Sequence, residues 1–165
     1  MAIKNLEDLY IHELKDLYSA DKQAKTIHKR LLKVATNSKL KTALENSIKG
    51  IDDGMNTITD ICKAHNKKPT GMTCKGMKGL VEEAKHHVLE EKFGDESAKD
   101  ASIIAQSQRM THYAIAGYGT AAAFATSLGL KKEAKLLQKC LDKTYGGDRK
   151  MTKLATSGIN KKAKS

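Results

Sequence analysis

Two acids and one histidine stand where a side chain held inside the fold could do chemistry. Asp21 lies in an apolar stripe, one turn after Leu17 and one turn before Ala24. An acid on such a stripe is either paired or put to use; the structural alternative is an ion pair with Lys25 at i+4. His112 sits with Gln106, Gln108 and Thr111 in the middle of Asp100–Leu128 (DASIIAQSQRMTHYAIAGYGTAAAFATSL), whose only acid is Asp100 and whose only Lys or Arg is Arg109. Asp148 falls on the face traced by Ala134, Leu137, Leu141, Thr144 and Met151. In a chain that is 30% charged, a stretch as apolar as 100–128 is expected to bury most of its circumference. A polar, small-residue centre in a buried helix is where a helical bundle holds a ligand or a metal ion.

Other chemistries find no support. Cys62, Cys74 and Cys140 form no CxxC pair, and their spacing suits three reduced thiols better than a structural zinc site. His86 and His87 are adjacent, so on a helix they point about 100° apart and read as surface residues. There is no nucleophile elbow, no glycine-rich phosphate loop and no HExxH. The Gly117–Gly119 GYG lies mid-helix and reads as a packing notch.

The elements that must position these residues are helical. One proline and no tryptophan, with abundant Ala, Lys, Leu and Glu, predict an all-α fold, and no window shows sustained strand alternation. Helix 1 is predicted to start at an Asn5 cap, with Asp8 completing a capping-box-like pair. Helix 2 is predicted over 39–65, and beside its apolar seam runs a strip of small residues, Ala43, Ser47, Gly50 and Gly54. Two glycines inside a helix cost about 1 kcal/mol each relative to alanine, so they need a reason. Pro69 and Gly71 end that helix; a shorter one is predicted over 75–91, a break over 94–97, the central helix over 100–128 with Gly129 as its C′ residue, and a last helix over 131–155 that again contains two glycines, Gly146 and Gly147. Short links between helices 1 and 2 and between 3 and 4, with one long crossover, give the ferritin-like connectivity. The chain reads as one domain, 1–157, with a basic flexible tail at 158–165.

The formal net charge is +11 over 165 residues, and Gly129–Ser165, with eleven Lys/Arg against three acids, supplies +8 of it. Such a segment can attract nucleic acid or another anionic surface, although a solvated lysine face with a floppy tail is the better account of it, and the scarcity of arginine and of interleaved aromatics argues against a specific nucleic-acid reader. No apolar run is long enough to span a membrane, and the N-terminus lacks the apolar block of a signal peptide, so a cytoplasmic protein is expected.

The motifs LYIHELKDLYSADKQ (9–23), KPTGMTCKGMKGLVEEA (68–84), HYAIAGYGT (112–120) and EAKLLQKCLD (133–142) together resemble the YciF-like family of ferritin-like bacterial stress proteins. The resemblance implies a four-helix bundle, often a homodimer, with a dinuclear iron or manganese centre ligated from the bundle interior. It also implies where ligands would stand. The family's Glu is Asp21 here; its helix 2 pair is Gly50 and Gly54; its EHYEIA motif reads THYAIA, with Thr111 and Ala114 for the two glutamates and His112 kept; its last-helix Glu is Thr144, with Asp148 kept. Asp21, His112 and Asp148 are therefore the surviving metal candidates, against five substituted positions. The expectation is a metal-free, non-catalytic binding or structural protein whose centre is a void, a pocket or a site refilled by Tyr10, Tyr18, Tyr113, Tyr118 or Met55. The alternatives are a metal-dependent oxidase, peroxidase or iron-handling protein, and a DNA-associating protein acting through the basic C-terminal segment.

Overall fold

The helix starts follow from local side-chain chemistry. The computed structural model describes residues 2–164; Met1 and Ser165, the outer ends of the ranges read from sequence, lie outside the described residues. Helix α1 (Leu6–Val34) is capped by Asn5, whose side chain accepts from the Asp8 N–H. The capping box is offset by one residue, because Asp8 Oδ2 reaches the N–H of Lys4 rather than that of Asn5. Helix α2 (Ser38–Ala64) is capped by Asn37, which accepts from Lys39 and Leu40. Helix α3 (Lys75–Ala84) continues as a π-helical turn over Lys85–Glu90. Helix α4 spans Glu96–Ser127 and α5 spans Lys131–Leu154. Gly129 takes φ +75° between them, a left-handed conformation that favours glycine.

The central helix begins earlier than the break at 94–97 predicts. Asp95 caps it by accepting from Ala98, so it starts at Glu96. Asp100 thereby lies inside the helix and is buried. Its carboxylate accepts from the Thr36 N–H (2.9 Å), the Thr36 hydroxyl (2.7 Å) and the Asn37 N–H (2.8 Å). An acid that read as a helix-start residue thus clamps the α1–α2 turn onto α4.

The helices form two hairpins, α1–α2 and α4–α5, joined by the crossover that carries α3. α1 packs on α4 and α2 on α5, so the four long helices close a bundle; α3 covers one side against α1 and α4. Among the described residues there is no strand, and no helix is long and apolar enough to cross a membrane. The segment read as a flexible tail is instead helical through Lys162: a π-helical turn covers Ala155–Ile159 and an α-helical turn covers Asn160–Lys162. The physical reason is a continuing apolar seam, since Met151, Ala155 and Ile159 recur every four residues and all three are buried in the core. The bundle end away from Asp100 is pinned by Tyr10, whose hydroxyl donates to Glu133 (2.8 Å), while His65 bridges Glu133 and Glu7. Gly117 is the packing notch that the sequence predicts: a Cβ there would lie 2.7 Å from Leu17 Cδ1.

Candidate ligand pocket at the bundle centre

Between α2 and α5, with α1 and α4 as its floor, lies a pocket of about 800 Å³. α1 contributes Asp21, Ala24 and His28. α2 contributes Ala43, Ser47, Gly50, Gly54 and Thr57. α4 contributes Met110, Thr111, Ala114 and Tyr118. α5 contributes Leu136, Cys140, Thr144 and the Gly146–Gly147 pair. Helical spacing explains the lining: 21, 24 and 28, like 43, 47, 50 and 54, each recur at three or four residues and share one helix face. Gly50, Gly54, Thr111, Ala114 and Thr144, the five positions that the family resemblance marks as ligand positions, are all on the lining.

The two glycines of α2 differ. At Gly54 a Cβ would overlap the Tyr118 hydroxyl, so the residue must be glycine for Tyr118 to occupy the centre. At Gly50 a Cβ would meet nothing within 4 Å; its missing side chain is open space. Of the bulky residues considered as fillers, Tyr118 is the one that lines the pocket, whereas Tyr10 bonds Glu133 and Tyr113 bonds Asp16 and Cys74 on the far side of α4.

Asp21 is 2% exposed, and the Tyr118 hydroxyl donates to its Oδ2 at 2.5 Å. Burial pushes its carboxyl up to about 7, against the smaller opposing effect of the Tyr118 hydrogen bond. Its predicted i+4 partner, Lys25, turns to Asp52 instead. The same burial, with the Asp21 charge beside it, holds the Tyr118 phenol well above its ordinary value, so it remains a donor.

The other two surviving candidates are elsewhere. His112 is 61% exposed, and its Nε2 lies 3.0 Å from Asp148 Oδ2. Asp148 also accepts from Gln108 Nε2 at 3.0 Å. Neither His112 nor Asp148 lines the pocket, so Asp21 is the sole member of the predicted trio on its wall. Among the described residues, no group of three or more His, Cys, Asp or Glu side chains stands close enough together to hold a metal ion. His86 and His87 are exposed and pair with Glu90 and Glu83, and the three cysteines are free.

His28 is the residue that sequence reasoning missed. It is 2% exposed and lines the pocket. Its Nδ1–H donates to the Ala24 carbonyl at 2.8 Å, and burial pulls its pKa down, keeping the ring neutral. Nε2 is then an acceptor with no hydrogen-bond partner among the described residues. The signal was present: His28 stands on the Asp21–Ala24 line, at i+7 and i+4. The antiparallel register that joins Thr36 to Asp100 and Asp21 to Tyr118 sets it level with the turn of α4 carrying Ser107 and Met110. Ser107 Oγ and Gln106 Oε1 are buried side-chain atoms of α4 without a partner.

A family model described as a domain of unknown function (DUF892) matches residues 5–164. YciF of Escherichia coli K12 is 38% identical over 166 residues, a match that covers 100% of this chain and 99% of that protein. The crystal structure of the E. coli stress protein YciF superposes with a TM-score of 0.89 at 37% identity, covering 97% of this chain and 100% of that one. YcfI of Rhodopseudomonas palustris superposes with a TM-score of 0.85 at 30% identity, covering 91% and 94%.

Proposed function

The chain belongs to the family described as a domain of unknown function, DUF892, and on that premise we propose that it is a stress-protein relative acting as a non-catalytic binding protein, with a small-molecule pocket where the family pattern expects a dinuclear metal centre. One observation carries this reading: the five positions at which ligand side chains are expected all line the same cavity, and none of them bears a carboxylate or an imidazole.

The donor set does not fit a dinuclear iron or manganese site. Two divalent ions about 3.5–4 Å apart need several carboxylate oxygens to ligate and bridge them. Asp21 is the one carboxylate at the buried floor, and its Oδ2 is taken up by the Tyr118 hydroxyl. Asp148 is engaged by Gln108 and His112 away from the pocket. What remains is a concave site with apolar walls and a few convergent polar groups, the usual make-up of a small-molecule pocket. Homodimerisation, which the family resemblance implies, belongs to the same proposal.

Elemental analysis of protein purified from cells grown with added iron or manganese tests the reading. Well under one metal ion per chain is expected. Two metal ions per chain would establish the competing oxidase or iron-handling role and overturn this one.

A further inference from the structure

The pocket is graded from mouth to floor. Lys49 on α2 and Lys139, Lys143 and Lys150 on α5 line it and are solvent-exposed, so their ammonium groups ring the mouth. Lys143 is paired with Asp53, 3.4 Å away. Lys49, Lys139 and Lys150 form no ion pair among the described residues. Deeper, the walls are apolar, with Ile51, Met77, Met110 and Ala114. At the floor are two polar residues that are almost fully buried: Asp21, whose Oδ2 accepts from Tyr118, and His28, whose Nε2 has no protein partner.

Each layer selects a different part of an occupant. Unpaired lysines at the mouth favour an anionic head through the positive potential they set up there. Apolar walls favour an aliphatic or aromatic body. A neutral imidazole on the lining, whose acceptor nitrogen has no protein partner, favours a hydroxyl or N–H at the inner end. We infer that the pocket binds an amphiphilic carboxylate carrying a hydrogen-bond donor on its far end, with the carboxylate at Lys49 and Lys150 and the donor at His28 Nε2. The inference rests on the reading of the centre as a ligand pocket and adds the class of ligand to it.

The test measures binding of 10-hydroxydecanoate, decanoate and decanol to the full chain by isothermal titration calorimetry at low and high salt. The hydroxy acid should bind at about one molecule per chain and about tenfold more tightly than decanoate, a preference that one hydrogen bond supplies. Decanol should bind more weakly than either acid. The affinity of both acids should fall with added salt while that of decanol does not. K49Q/K150Q should weaken both acids about tenfold and leave decanol unchanged. H28F should abolish the preference for the hydroxy acid without removing decanoate binding. G50F, whose Cβ meets nothing within 4 Å, should block all three ligands; its melting temperature checks the fold independently. Equal binding of decanol and decanoate, or unimpaired binding by G50F, would overturn the inference. So would absence of any binding together with an intermolecular disulfide in G50C, which would assign the groove to a second copy of the chain. If the metal analysis shows no metal and these ligands fail, only the ligand class falls; two metal ions per chain would remove the underlying reading itself.

Discussion

Replacing Asp21 by asparagine should make the protein more stable at pH 8 than at pH 4, relative to the parent chain. The amide side chain keeps an oxygen for the Tyr118 hydroxyl but has no charge to lose. In the parent, the folded-state carboxyl titrates at about 7 against an ordinary value of 3.8. Because the folded value is raised, the sign is opposite to that of a salt-bridged acid. Below pH 3.8 the group is neutral in both states and costs nothing. Between 3.8 and 7 only the unfolded chain ionises, which favours unfolding, and above 7 the loss is complete. A gap of about three pH units, at about 1.4 kcal/mol each, sets the loss at about 4 kcal/mol. Urea unfolding of both proteins at pH 4, 5.5, 7 and 8 reads this directly. The stability difference between D21N and parent should grow by about 4 kcal/mol from pH 4 to pH 8, roughly half of it by pH 5.5. Any constant cost of the amide cancels, because only the change with pH is used. A difference that is flat with pH, or that grows toward acid, would refute the assignment of Asp21 as a buried acid held neutral by its surroundings.

Other substitutions test the same structure at single contacts. G50A should stabilise the chain by up to about 1 kcal/mol in thermal or urea unfolding, because its Cβ meets open space and alanine is the better helix former. G54A should destabilise it by about 1–3 kcal/mol, because its Cβ displaces the Tyr118 hydroxyl from Asp21. D100A should cost about 3 kcal/mol in the same assay, since it leaves the Thr36 and Asn37 donors at the α1–α2 turn without their acceptor. H112A should change stability by less than about 0.5 kcal/mol, because the His112–Asp148 pair has its imidazole largely in solvent.

Much of the fold was legible because it is encoded locally. Asn5 caps α1, Gly129 turns left-handed after α4, and the apolar seams of α1 and α5 set their buried faces. The earlier start of α4 was hidden because Asp95 competes as a cap with the break suggested by Gly94 and Ser97. The ordered C-terminal turn was hidden because lysines at 161, 162 and 164 mask a single buried isoleucine, Ile159. At the site, the five residues that the family resemblance marks as ligand positions line one cavity. The resemblance could not say which way the survivors turn. His112 is adjacent in sequence to Thr111 but sits about 100° around the helix, on the exposed side. His28 escaped notice because one histidine on an apolar face usually signals a satisfied core residue; its free Nε2 becomes visible only with the Ala24 carbonyl in place.

The central claim is that the centre of this bundle is a pocket and not a metal site. It is tested most directly by titrating the apo chain with Fe(II) or Mn(II) beside a variant that restores carboxylates at the substituted positions, G50E/T111E/A114E/T144E, and counting bound metal per chain after gel filtration. The parent should retain well under one ion per chain and the restored variant should gain metal. Two ions per chain held by the parent would contradict the account.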